Sequence, residues 1–186
     1  MSELPAHALF GRCCSPLPSA RVGRRLFLGL VSAAAAAGLM PGLVRAASGQ
    51  YEALLLTCID PRFPEHTIAY MRSRNLAGKY SQVSLAGASV AVVAPAFKDW
   101  RPAFWENLGA SIQLHQVPKV MVLNHRACGA AEIAFGKDAV ANREMETRTH
   151  RAAFTDFRSQ VASRHPFLIV ETGLMGLDGT VEMFTS

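Results

Sequence analysis

From Ala53 onward, apolar and polar positions fall into blocks that predict strands and helices in turn. Ala53 to Leu56, closing at Thr57, is an unbroken run with the look of a fully buried strand. Pro64 follows at a favoured first helical position, and Ile68, Met71 and Leu76 keep a helix-like spacing up to Gly78, a suitable cap. Gln82 to Leu85 reads as a short second strand, ending in Ala86-Gly87-Ala88-Ser89, small residues that let backbones approach closely. Pro102 opens another helix with Phe104, Leu108 and Ile112 on one face, and Pro118 breaks it before a third strand, Val120 to Leu123.

After Cys128 a short Ala-rich helix runs to about Phe135, with Gly136 at its end. A longer polar helix, about Asn142 to Arg164, turns Phe154, Phe157 and Val161 inward. Phe167 to Val170 makes a fourth strand, and Gly173 to Gly179 turn the chain back into Val181 to Phe184. Strands separated by helices predict an α/β domain with a mostly parallel four-stranded sheet flanked by helices.

Residues 1–47 follow another pattern. Gly23-Arg24-Arg25-Leu26-Phe27-Leu28 leads into an uncharged Ala-rich run to Val44, then Ala46-Ala47-Ser48. This resembles a twin-arginine export signal. The resemblance implies a precursor handled by the twin-arginine export machinery, cleavage near Ala47, and a periplasmic single domain over residues 48–186. A retained membrane anchor is the competing expectation, since Leu26 to Val44 carries no charge; its Ala and Gly content and Pro41-Gly42 suit a membrane span poorly.

Composition changes the picture in one respect. The 186-residue chain carries a net charge of +5, which suggests a polyanion partner. Five arginines and one glutamate lie before Ser48, however, leaving 14 basic and 13 acidic residues in the remainder. A nucleic-acid-binding face is therefore not expected. Half of the residues are hydrophobic, enough for a core.

The chemistry gathers at two strand ends. Cys58, Asp60 and Arg62 stand at alternate positions after the first strand and, at a strand's period of two, project to one side. His125 and Cys128 close the third. Ligands of open α/β sheets collect beyond the carboxyl ends of strands. Two sulfurs and an imidazole there can hold a metal with one position open. A Cys58–Cys128 disulfide is the competing reading, less suited to two cysteines set in polar clusters. His66 reads as a surface helix residue near the site, His115, His150 and His165 as surface or helix-end residues, and Arg126 as either tuning the site or facing solvent. Trp100, Phe104 and Trp105 read as core or an interface between copies, Met175 and Met183 as packing.

Cys58-x-Asp60-x-Arg62, then 62 intervening residues, then His125-x-x-Cys128-Gly129, resembles the β-class carbonic anhydrases. The resemblance implies a zinc ion on Cys58, His125 and Cys128, with Asp60 and Arg62 as the paired catalytic residues beside its open position. It further implies reversible hydration of carbon dioxide to bicarbonate, and dimers or multiples of dimers. Carbonyl sulfide or carbon disulfide as substrate, and a non-catalytic zinc-binding sensor closed by Asp60, are the alternatives. Three positions depart from the family: Pro61 stands where Ser is usual, Asn124 where Gly is usual, and Ser84-Leu85 replace a common Arg-Asn pair before Ala86-Gly87.

Overall fold

The computed structural model describes residues 49–185. The twin-arginine-type leader and its alternative as an anchor lie outside the described residues. Among the described residues, no helix is long and apolar enough to cross a membrane.

Five strands form one sheet in the order β2-β1-β3-β4-β5. They are β1 (Ala53–Thr57), β2 (Tyr80–Ser84), β3 (Lys119–His125), β4 (Ile169–Met175) and β5 (Val181–Phe184). β1 to β4 run parallel, and β5 pairs antiparallel with β4. The expected four-stranded sheet thus gains a fifth strand, because the return segment pairs instead of ending in coil. The fourth strand also continues past Val170 through Gly173, which was expected to turn. A Cβ at Gly173 would stand 2.7 Å from Val181 Cγ1, so the missing side chain is what lets β5 lie against β4.

The helices are α1 (Pro64–Ser73), α2 (Ser89–Val93), α3 (Arg101–His115), α4 (Gly129–Phe135) and α5 (Arg143–Arg164). Proline opens α1 at a position whose N–H has no helical acceptor. That helix ends at Ser73 rather than near Gly78, where Asn75 takes the left-handed conformation (φ 58) and Leu76 tucks back into the core. The Asn142 side chain caps α5 by accepting the Met145 N–H at 3.0 Å. α2 and a 3₁₀ segment, Pro95–Trp100, lie where the apolar pattern predicts no element.

Strand alternation divides the core. Leu54, Leu56, Val120 and Val122 face Phe104 and Leu108 of α3 and Phe154, Phe157 and Val161 of α5. Ala53, Leu55, Met121, Leu123 and Met175 face Phe63 and Met71 on the α1 side. Each large apolar side chain fully buried this way contributes about 1.5–3 kcal/mol, so the central strands hold firm positions at their ends. β1 and β3 are neighbours whose chains leave toward opposite edges of the sheet, to β2 and to β4. Between their carboxyl ends lies the crevice in which open α/β sheets bind ligands.

Candidate metal centre

Cys58 follows β1, His125 is the last residue of β3, and Cys128 is the residue before α4. One ligand atom from each, two sulfurs and an imidazole nitrogen, lie within 4.8 Å of one another. Zinc bonds of about 2.3 Å to sulfur and 2.1 Å to nitrogen require edges shorter than this. Both cysteines are free, so the disulfide reading is not realised here.

The donor set fits a cation in two independent ways. First, His125 is 2% exposed and its Nδ1 donates to the Arg126 carbonyl at 2.8 Å. A carbonyl only accepts, so Nδ1 carries the proton and the Nε2 lone pair is left over. That Nε2 is buried with no hydrogen-bond partner. Second, the two sulfurs lie close enough to bias each other's titration in opposite directions. Cys58 is drawn down to about 4, chiefly by a hydrogen bond from Cys128, against burial and helped by His125 and the Gly87 N–H. Cys128 is pushed up by that same bond and by burial. A metal bound here would be held by both sulfurs in their deprotonated form and would give the imidazole its missing partner.

Asp60 and Arg62 are brought together by a turn rather than by strand alternation. The chain leaves the sheet at Cys58, and the Phe63 N–H closes a turn onto the Asp60 carbonyl at 3.3 Å. Pro61 occupies the second turn position, where its fixed φ is suited. The Arg62 backbone N–H donates to Asp60 Oδ1 at 3.0 Å, and its Nε and NH2 reach Oδ1 and Oδ2 at 2.9 and 2.7 Å. Asp60 is held down at about 2, first by these side-chain bonds. Its Oδ2 sits 3.8 Å from His125 Nε2.

The chain around the ligands is fixed by polar groups the sequence analysis misplaced. Arg126, left open between site and solvent, is buried, and its guanidinium meets Glu146 and Glu182, each at 3.1 Å. Glu146 also accepts the Ala127 N–H at 2.6 Å, where Ala127 has φ 54. His150, expected at the surface, is fully buried and meets Asn124 Nδ2 at 2.9 Å through its Nδ1. Burial first, with the neighbouring Arg126 charge adding to it, pushes His150 down to about 4. A signal existed: Glu146, His150, Phe154, Phe157 and Val161 recur at helical spacing, one stripe of α5. His66, His115 and His165 stay as expected or nearly so. His66 is half-buried on α1, and His115 is half-buried at the end of α3, 2.6 Å from Ser81 Oγ. Trp100 stacks on Phe97 at 4.5 Å, apart from the Phe104–Trp105 pair, and Met183 is 43% exposed.

Beside Cys58 and His125 opens a cavity of about 260 Å³ on the α1 face. Phe63, Leu123 and Met175 form its apolar wall, with the Phe63 ring stacked on His125 at 4.1 Å. Thr57, Gln82 and Ser84 form its polar strip. Thr57 Oγ1 and Ser84 Oγ are 3.0 Å apart and share one hydrogen, so one hydroxyl O–H stays uncommitted whichever of them donates. No Lys, Arg, Asp or Glu lines the cavity.

No protein-family profile matches the sequence. The chain is 34% identical over 129 residues to an uncharacterized protein of Rickettsia conorii, covering 69% of each chain. It is 32% identical over 129 residues to an uncharacterized protein of Rickettsia bellii, covering 69% of this chain and 79% of that one. Among solved structures, its fold is similar to that of a carbonic anhydrase from Streptococcus mutans, with TM-score 0.51, 16% identity and coverage of 86% of this chain and 97% of that one. It is also similar to the β-carbonic anhydrase CafA of Aspergillus fumigatus, with TM-score 0.52, 17% identity and 86% of each chain covered. A Coccomyxa β-carbonic anhydrase in complex with acetazolamide gives TM-score 0.53 at 15% identity, covering 87% of this chain and 84% of that one. The fold is thus that of β-carbonic anhydrases.

Proposed function

We propose that this chain, which belongs to one family with the two Rickettsia proteins, is a zinc-dependent lyase interconverting carbon dioxide and bicarbonate. The observation that carries this reading is the orphaned, buried Nε2 of His125, in a group whose imidazole and two cysteine sulfurs each offer a ligand atom within 4.8 Å of the others. Cys58, His125 and Cys128 would hold the zinc, a set of soft sulfur and imidazole donors suited to that ion. When bound, zinc supplies a polarised water able to attack an electrophilic carbon.

The chain's own residues supply the rest. Arg62 keeps both Asp60 oxygens occupied, so the carboxylate accepts a hydrogen bond at the site's edge instead of entering it. The cavity's apolar wall and uncharged polar strip suit a small neutral molecule, and the spare hydroxyl can donate to one end of it. Carbon dioxide fits that description, and so does carbonyl sulfide.

Rates of hydration of both gases by zinc-loaded protein test the proposal. Turnover of carbon dioxide that vanishes on chelation and returns with zinc supports it. Turnover of carbonyl sulfide alone would reassign the substrate, and inactivity toward both would favour a zinc-binding sensor.

The proposal extends to the whole chain. Residues 1–47 would direct export to the periplasm, and a precursor retained in the cytoplasm when Arg24 and Arg25 are both changed to Lys would support that. Self-association as a dimer or multiple of dimers would use the unpaired edge of β2 and Ile59, 64% exposed at the site's mouth. Sedimentation of the purified protein tests it, and a monomer at all concentrations would count against it.

A further inference from the structure

We infer that Asn124 is a positioning residue for the metal centre: its side-chain amide fastens the turn whose Gly87 N–H points at Cys58 Sγ. The inference rests on the reading of Cys58 as a metal ligand. The Gly87 N–H lies 3.1 Å from that sulfur. Its aim depends on two successive residues with positive φ, Gly87 at 84 and Ala88 at 51. Only glycine takes such angles freely, so Ala88 is held in a conformation it would leave if released. At Gly87 any other residue is strained, since its φ is positive and a Cβ there would crowd Ala130 Cβ and Val90 Cβ at 3.0 Å each.

The restraint comes from Asn124. Its Oδ1 accepts the Ser89 N–H at 3.1 Å and the Ser89 hydroxyl at 2.9 Å, and both residues are buried, Asn124 at 1% exposure. Because a backbone N–H can only donate, the acceptor must be Oδ1, which fixes the amide's orientation. Nδ2 is then the donor to His150 Nδ1 at 2.9 Å, so His150 presents its lone pair there and carries its proton on Nε2. The amide is therefore held from α5 on one side while it holds the turn before α2 on the other. Asn124 also adjoins His125 on β3, so one side chain ties the strand bearing the imidazole to the loop that touches a sulfur.

The chemical consequence falls on the sulfur. An N–H···S bond draws charge from a thiolate and fixes its orientation, and such outer contacts typically matter about 10–100-fold in metal affinity. The family this chain resembles usually has Gly at this position, which offers no acceptor for Ser89. The clamp is a property of this chain's own residues.

The test uses the full-length protein with Asn124→Gly, Ser89→Ala and the double variant. In Asn124→Gly and the double variant, the sulfur-to-metal charge-transfer band of the cobalt-substituted protein should move to lower energy, because an unshielded thiolate gives up charge more readily; Ser89→Ala, which keeps its N–H bond to Oδ1, should move it less. Zinc affinity, read by chelator competition, should fall at least about tenfold for Asn124→Gly. The double variant should be no worse than Asn124→Gly alone, since Asn124→Gly already removes the hydroxyl bond that Ser89→Ala removes. In the metal-free protein, exchange of the Gly87 amide hydrogen should quicken. Folded Asn124 variants with an unmoved band, or with Gly87 as protected as in the unaltered chain, would overturn the inference; should Asn124→Gly fail to fold, Asn124→Leu, of similar size but with no acceptor for either Ser89 bond, decides. If the unaltered protein binds neither metal while Gly87 exchange responds as expected, the metal reading falls and the clamp stands.

Discussion

Arg62 grips both oxygens of Asp60, and the same NH2 group donates to the Ala127 carbonyl at 3.0 Å. One guanidinium therefore links the end of β1 to the ligand loop after β3, and holds a carboxylate 3.8 Å from His125 Nε2. In the proposed reading, this grip keeps Asp60 beside the site instead of in it.

Removing it should let Asp60 swing onto the metal. Arg62→Ala is expected to keep zinc and fold yet lose nearly all hydration activity, with a carboxylate oxygen as fourth ligand. Asp60→Asn should be as inactive but leave that position to water. X-ray absorption at the metal edge distinguishes the two. Near-normal turnover by Arg62→Ala would exclude this role for the pair.

Arg126 predicts a stability effect. It is buried with Glu146, which also holds the Ala127 N–H. Arg126→Ala leaves Glu146 buried and unpaired, an arrangement that typically costs about 3–5 kcal/mol. Urea denaturation should show a loss of that order. A change below about 1 kcal/mol, the usual worth of an exposed pair, would mean that the pair is solvated in solution.

His150 predicts the pH dependence. Burial lowers its folded value to about 4, below the ordinary value near 6.5, so the unfolded chain binds the extra proton first. Its contribution is intact above pH 6.5 and is lost as pH falls from there toward 4, by up to about 3 kcal/mol. His150→Gln keeps an acceptor for Asn124 and removes the titration. Denaturation of metal-free protein at pH 7, 5 and 4 should show the unaltered chain falling more steeply than His150→Gln. Parallel slopes would remove His150 from the account.

The strand runs and the placement of Cys58, His125 and Cys128 at strand ends were legible because they depend on local apolar pattern and spacing. β1 falls where the pattern puts it. Gly173 misled, because its smallness serves a close approach between strands and not a turn. The pairing of Asp60 with Arg62 was readable, but not its cause, which is a turn closed around Pro61. The Ser89–Asn124–His150 chain was not read, since its members stand 35 and 26 positions apart and meet only when α2 and α5 pack beside β3.

Zinc stoichiometry tests the central claim most directly. Purified protein, dialysed against zinc and then against metal-free buffer, should retain one equivalent per chain, and Cys128→Ser should retain almost none. A Cys128→Ser protein that keeps a full equivalent, or an unaltered protein that keeps none, would contradict the assignment of Cys58, His125 and Cys128 as a zinc site.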